Sequence, residues 1–439
     1  MGRWRIPIKY DKKRSNSIES HITGGSKHEH RRRGLPAESA RLKSLIACAA
    51  LAAVPVTVSS GPTVVDEVRP RIFDFAAGGN AAGFPTYDAA RGFGFEHGTK
   101  RFSVRLPEGN YRVVVRLPPD GSVRRIFAEQ RRLVAENPRD DIRFVVNVRT
   151  PALPALPENA AGGTEVRLKP REIGSANWDD RLSLEFAPDA AGLQSIAIEP
   201  VALPTLYLAG DSTVTDQALA PNASWGQMLP RFFGNGIAVA NHAESGESLK
   251  SFLGELRLDK LLSTLRPGDW VMIQFAHNDQ KTQWPQTHAD AATTYPAYLR
   301  AYIAEVRRRG GTPILVTSPE RRNFDAQGRI VPSLGDYPDA MRAVARAEKT
   351  ALVDLNAMSI AFYEALGPDA AARAFADEGR DRTHHNEFGA YSLARMVVEG
   401  LRRSDASLLA GLASQIAPDE RRFDPAHPDS PVMISEATR

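Results

Sequence analysis

The sequence predicts an α/β fold, a parallel sheet covered on both faces by helices, preceded by an antiparallel β-sandwich, and two contrasting textures within 439 residues carry that expectation. After Pro204, unbroken apolar runs alternate with amphipathic ones. Residues 206–209, 237–240, 270–275, 313–317 and 352–355 read as strands, and the stretches around 298–308, 340–349 and 387–402 read as helices. Strands that lack a polar face belong in a parallel sheet buried on both sides. From Ile72 to about Pro200 the runs are short and partly alternating, at 102–106, 111–117, 144–148, 182–186 and 193–198. Turn formers such as Pro107-Glu108-Gly109-Asn110 and Pro118-Pro119-Asp120-Gly121 separate them, which is sandwich patterning.

A chain of this length exceeds one typical domain. The expected organisation is a basic flank over 1–43, an export signal over 44–60, the sandwich over 70–200, the α/β unit over 204–410 and an extended tail over 411–439. The formal charge of +4 belongs to the flank, where 12 Lys and Arg face 4 Asp and Glu. The remaining 44 basic and 48 acidic groups leave a net of −4, which argues against a nucleic-acid partner. Residues 45–58 form an apolar run behind Lys43, interrupted by Pro55 and short for a membrane span. A secretory signal is the expectation, with a periplasmic or extracellular product that keeps no stable membrane association after cleavage. Cys48, the one cysteine, lies inside that segment, so disulfides, thiolate metal sites and cysteine nucleophiles are not expected. The apolar run follows Cys48 rather than preceding it, against lipidation. Nothing in the sequence specifies an oligomeric state.

Functional residues of an open parallel sheet gather beyond the carboxyl ends of its strands. Four polar blocks are expected at that edge: Gly210-Asp211-Ser212-Thr213, residues 241–248, His277-Asn278-Asp279, and Asp381-Arg382-Thr383-His384. A serine hydroxyl is a weak nucleophile until a base takes its proton, and histidine has the intrinsic pKa for that task. Asp381 lies three residues before His384, within reach to hold a useful tautomer. His384 and His385 compete for the role of base, because neighbouring side chains in an extended segment point apart. Donors for a tetrahedral oxyanion are available from the Ser212 N–H, from Gly246, whose backbone is unshielded by a Cβ, and from the Asn278 amide.

Residues 209–214 (Ala-Gly-Asp-Ser-Thr-Val), 241–248 (Asn-His-Ala-Glu-Ser-Gly-Glu-Ser), 275–279 (Phe-Ala-His-Asn-Asp) and 381–387 (Asp-Arg-Thr-His-His-Asn-Glu) resemble the four blocks of the SGNH, or GDSL, hydrolases. Within that superfamily they are similar to the rhamnogalacturonan acetylesterases of carbohydrate esterase family 12 type, and Trp225-Gly226-Gln227 resembles the bacterial members. The resemblance covers about residues 205–405. It implies a flavodoxin-like three-layer fold, Ser212 as nucleophile, Asp381 and His384 as the rest of a triad, and Ser212, Gly246 and Asn278 as oxyanion donors. It also selects His384 over His385. One departure is Ala276, where the family usually has glycine, read as a modest change beside the oxyanion hole. Phe73-Asp74-Phe75, residues 92–95 and Trp178-Asp179-Asp180 resemble a galactose-binding-like sandwich that either holds sugar or braces the catalytic unit. Trp178 fits a stacking platform or, preferably, a core position.

The expected activity is removal of acetyl groups from a plant cell-wall polysaccharide or oligosaccharide, most readily rhamnogalacturonan or related pectin, through an acyl-enzyme and without a metal or organic cofactor. Gln280, Lys281 and Trp284 follow the third block and are expected to meet substrate, with Lys281, Arg321 and Arg322 favouring an anionic backbone. The alternatives are an acetylesterase for xylan or other acylated saccharides, or a non-catalytic carbohydrate-binding protein.

Overall fold

Thr205–Gly210 is buried along its whole length. Leu206 and Leu208 face one apolar cluster while Tyr207 and Ala209 face another. A strand can be apolar on both sides only if both sides are covered, and this strand organises the carboxyl-terminal part of the chain.

The computed structural model describes residues 69–75, 83–96, 100–117, 123–138, 141–157, 159–190, 192–418 and 420–428. The basic flank and the candidate export signal lie outside the described residues. Among the described residues nine strands come first: β1 (Arg71–Asp74), β2 (Phe93–Phe95), β3 (Arg101–Arg105), β4 (Gly109–Arg116), β5 (Arg125–Ala128), β6 (Arg132–Glu136), β7 (Ile142–Val148), β8 (Arg181–Ala187) and β9 (Ser195–Pro200). They form two antiparallel sheets, ordered β1-β9-β4-β7 and β2-β3-β8-β5-β6. Strand β4 shows the reason they pack: Tyr111, Val113 and Val115 are buried while the residues between them are partly exposed. One apolar cluster, rich in Phe73, Phe75 and Phe102, fills the space between the two sheets.

Strands β5 and β6 break that alternation. Ile126 and Val134 face the sandwich core, whereas Phe127 and Leu133 belong to the core of the parallel sheet. Both faces of this hairpin are therefore covered, and its outer face packs against the parallel part of the molecule.

The parallel part runs β10 (Thr205–Gly210), α1 (Trp225–Met228), β11 (Ala238–Asn241), α2 (Leu249–Gly254), α3 (Arg257–Thr264), β12 (Trp270–Gln274), α4 (Thr294–Arg308), β13 (Thr312–Val316), α5 (Tyr337–Ala347), β14 (Ala351–Val353), α6 (Leu355–Ala372) and α7 (Glu387–Arg403). Its strands are ordered β11-β10-β12-β13-β14, all parallel, with helices on both faces. This is the flavodoxin-like order. Among the described residues no helix is long and apolar enough to cross a membrane. The stretch after 411 carries a short 3-10 turn at Leu412–Gln415 and buries Phe423 beneath the Arg395 guanidinium, 4.5 Å from the ring centroid.

Candidate active site

In this strand order the crevice opens beyond the carboxyl ends of the strands flanking β10, where the winding of the chain reverses. Asp211–Thr213 follows β10, Asn241 ends β11, and Ala276–Asp279 follows β12. The fourth block arrives on the loop before α7.

The turn after β10 is built for close approach. A Cβ on Gly210 would meet Val214 Cγ2 at 2.5 Å and the Gln274 carbonyl at 3.1 Å. Asp211 Oδ1 accepts from the Thr213 N–H at 2.9 Å and from its hydroxyl at 2.8 Å, and the Val214 and Thr215 N–H groups donate to the Asp211 carbonyl at 3.0 Å. Burial alone would raise the Asp211 carboxyl, but His277 Nδ1 at 3.3 Å and the Thr213 donors hold it below the ordinary value. Between these anchors Ser212 Oγ lies 2.9 Å from His384 Nε2.

His384 Nδ1 is 2.8 Å from Asp381 Oδ2, and Asp381 Oδ1 accepts from the Thr383 and His384 N–H groups at 2.7 and 2.9 Å. Burial works against the Asp381 carboxylate, yet those two backbone donors and the His384 ring keep it below its usual value. An ionised Asp381 selects the tautomer with its proton on Nδ1, leaving the Nε2 lone pair toward Ser212. His385 points the other way. Its ring is 1% exposed, packs 4.4 Å from Phe375 and meets the Tyr363 hydroxyl at 2.8 Å, and burial pushes its imidazole down to about 3.

Among the described residues neither the Ser212 N–H nor the Gly246 N–H donates a hydrogen bond. Gly246 has φ +86°, a conformation that favours glycine. Asn278 Nδ2 donates to the Glu247 carbonyl at 2.8 Å, which leaves its second N–H, and Asn278 Oδ1 accepts from Lys281 Nζ at 2.7 Å. Ala276 is 2% exposed and sits in the apolar core behind the sheet, so its methyl adds packing rather than lining an entrance.

The residues expected to meet substrate divide. With its amide turned to donate to the Ser333 carbonyl at 3.0 Å, Gln280 accepts from Arg321 Nη1 and Nη2 at 2.8 and 2.9 Å, so that side chain is engaged within the protein. Lys281 stands 4.8 Å over the ring of Trp284, which is 46% exposed. Arg321 Nε donates to Thr383 Oγ1 at 3.2 Å, beside Asp381. Arg322 turns inward over Phe375 and donates to the Gly379 carbonyl. Trp178 is 7% exposed and donates to Glu172 Oε1 at 3.0 Å, a core position rather than an open platform. A cavity of about 910 Å³ lies elsewhere, lined by Tyr111, Arg149 and His242 among others, and none of Ser212, Asp381 or His384 lines it.

Sequence reasoning did not find the charges that reach this edge from the antiparallel sheets. Arg132 Nε donates to Asp216 Oδ2 at 2.5 Å with both side chains buried. Arg125 and Arg131 grip the Glu387 carboxylate at 2.9 and 3.0 Å. Their partners lie 84, 262 and 256 residues away along the chain, so no local pattern marks them.

Residues 208–390 match the GDSL-like lipase/acylhydrolase family. Rhamnogalacturonan acetylesterase RhgT of Bacillus subtilis is 38% identical over 223 residues, 48% of this chain and 94% of that protein. The uncharacterised esterase YxiM of the same organism is 26% identical over 380 residues, 77% of this chain and 93% of that protein. The crystal structure of YxiM covers 76% of this chain and 88% of that one, at 26% identity and a TM-score of 0.45. The chain thus belongs to the GDSL-like lipase/acylhydrolase family of SGNH-type hydrolases and is a carboxylic ester hydrolase.

Proposed function

We propose that the chain is an exported carbohydrate acetylesterase that removes acetyl groups from a plant cell-wall polysaccharide, with rhamnogalacturonan or a related pectin as substrate. The observation that carries the reading is the relay of 2.9 Å from Ser212 Oγ to His384 Nε2 and 2.8 Å from His384 Nδ1 to Asp381, together with the Ser212 and Gly246 N–H groups, which donate no hydrogen bond among the described residues. In this mechanism His384 takes the hydroxyl proton as Ser212 attacks the acetyl carbonyl carbon. The Ser212 and Gly246 N–H groups and the free Asn278 N–H receive the oxyanion. The sugar oxygen leaves with the proton from His384, and a water molecule repeats the cycle on the acyl-serine to release acetate.

Two features support an anionic backbone. Lys281, bonded to Asn278, and Arg321, bonded to Thr383 beside Asp381, bring two cations to the edge that carries the relay, and the relative RhgT carries the name rhamnogalacturonan acetylesterase. The antiparallel unit is read as a brace for the catalytic edge.

The test is acetate release from acetylated rhamnogalacturonan beside acetylated xylan and a long-chain acyl ester. The expected result is preference for the pectic substrate and a fall of at least roughly 10⁴-fold with Ser212→Ala. Preference for xylan would replace the substrate, preference for long acyl chains would remove the polysaccharide, and undiminished turnover by Ser212→Ala would remove the nucleophile.

A further inference from the structure

The Gly246 N–H belongs to a peptide unit whose other end, the Ser245 carbonyl, is gripped by cations from a distant segment. Lys169 Nζ donates to that carbonyl at 2.9 Å, and Arg171 Nη2 donates to it as well. The Ser245–Gly246 peptide is trans, so its C=O and N–H point in opposite directions. Two cations fixed on the oxygen therefore fix the direction of the N–H, and they polarise the amide so that its hydrogen becomes a stronger donor.

The two cations are themselves held. Arg171 Nε donates to Glu244 Oε1 at 2.6 Å, and Lys169 Nζ also reaches the buried carboxylate of Glu247. The Lys169 N–H donates to Glu172 Oε2 at 2.8 Å, and Glu172 is paired with the fully buried Arg257. Positions 169–172 precede the 208–390 stretch that matches the family, so this clamp reaches the active-site edge from outside it.

We propose that Lys169 and Arg171 are positioning residues for ester cleavage, holding and polarising the Ser245–Gly246 peptide so that its N–H meets the developing oxyanion. The proposal rests on the reading of Gly246 as an oxyanion donor. A group that stabilises only the transition state lowers kcat when it is lost and leaves KM alone.

The experiment uses the full chain with p-nitrophenyl acetate, a substrate too small to sample saccharide contacts, and phenylboronic acid as a probe that forms a tetrahedral adduct. The Lys169→Met/Arg171→Ala double variant is expected to lose roughly 10- to 100-fold in kcat, less than the ~10²–10³ of deleting an oxyanion donor outright. KM should stay within about twofold, and phenylboronate binding should weaken by a factor comparable to the loss in kcat. Lys169→Arg is expected to recover most of the rate. Arg171→Ala alone, at a side chain 57% exposed, gives a folded variant in which a smaller loss of the same kind is expected. A kcat within about twofold of wild type in the double variant, or a loss confined to KM, overturns the proposal. Asn278→Ala separates the two levels. If it costs roughly 100-fold while the clamp variants cost nothing, the clamp alone fails; if it too is silent, the oxyanion reading fails with it.

Discussion

Ser212 and His384 face each other across 2.9 Å, yet the chain holds them by different means. The Ser212 side is a buried polar network. Asp211 is fully buried, Asp216 is shared by Arg132 and by Asn241 Nδ2 at 2.8 Å, and Asn278 is pinned between Glu247 and Lys281. The His384 side is a local loop in which Asp381 serves its own neighbours at +2 and +3 and keeps 30% of its side chain exposed. A buried charge without its partner is costly, whereas a partly exposed one is screened by water. Damage to the first side should therefore appear in stability, and damage to the second in catalysis alone.

The sharpest way to break that contrast is Asp381→Asn. Turnover should fall by roughly 10³–10⁴-fold through loss of the productive tautomer, while urea unfolding moves by less than about 1 kcal/mol, because an amide oxygen still accepts from the loop N–H groups. A comparable loss of stability would erase the distinction. Arg132→Met attacks the other side and leaves the Asp216 carboxylate buried without its cation. Urea unfolding should register a cost of about 3–5 kcal/mol, with activity retained in the molecules that remain folded.

Glu129, in the turn between β5 and β6, sharpens the picture through pH. Burial is the largest influence on its carboxyl and pushes it up to about 8, against 4.5 for the free group. The native state then keeps a proton that the unfolded chain releases, so its stability contribution is lost as pH rises between about 4.5 and 8. Glu129→Gln should flatten unfolding free energy across that window by up to about 1.4 kcal/mol per pH unit; an unchanged slope would show that Glu129 does not titrate there. The smallest effect is expected at Trp284. Its replacement by Ala should raise KM for the polysaccharide by about threefold to tenfold, roughly 1 kcal/mol of stacking, without changing turnover of p-nitrophenyl acetate.

The elements that were legible in the sequence are those whose pattern has a local cause. The runs at 206–209 and 270–275 are apolar because both sheet faces are covered, and they appear as β10 and β12 within a residue of the expected ends. The helix expected over 387–402 is Glu387–Arg403, where Asn386 accepts from the Gly389 N–H at 3.1 Å as its cap. Strands β5 and β6 escaped notice because they are short and open on Arg125 and Arg132, and a charge in a short run ordinarily signals solvent. Here the arginines are buried against Glu387 and Asp216, which only the tertiary fold brings near. Helix α6 was equally hidden: it is apolar on most sides and carries Gly367-Pro368, where φ at Gly367 is +73°. The residues alone left His384 and His385 open as bases, and the partner that turns His385 inward, Tyr363, lies on that unanticipated helix.

Glu387 stands three residues after His384 and is held by two arginines of the β5–β6 hairpin, so the entry of α7 is tied to residues 262 and 256 positions earlier in the chain. A ribosome delivers chains amino end first. The arginines that hold Glu387 are thus made well before the last of the four blocks, and the loop that carries His384 closes against a hairpin already present in the chain.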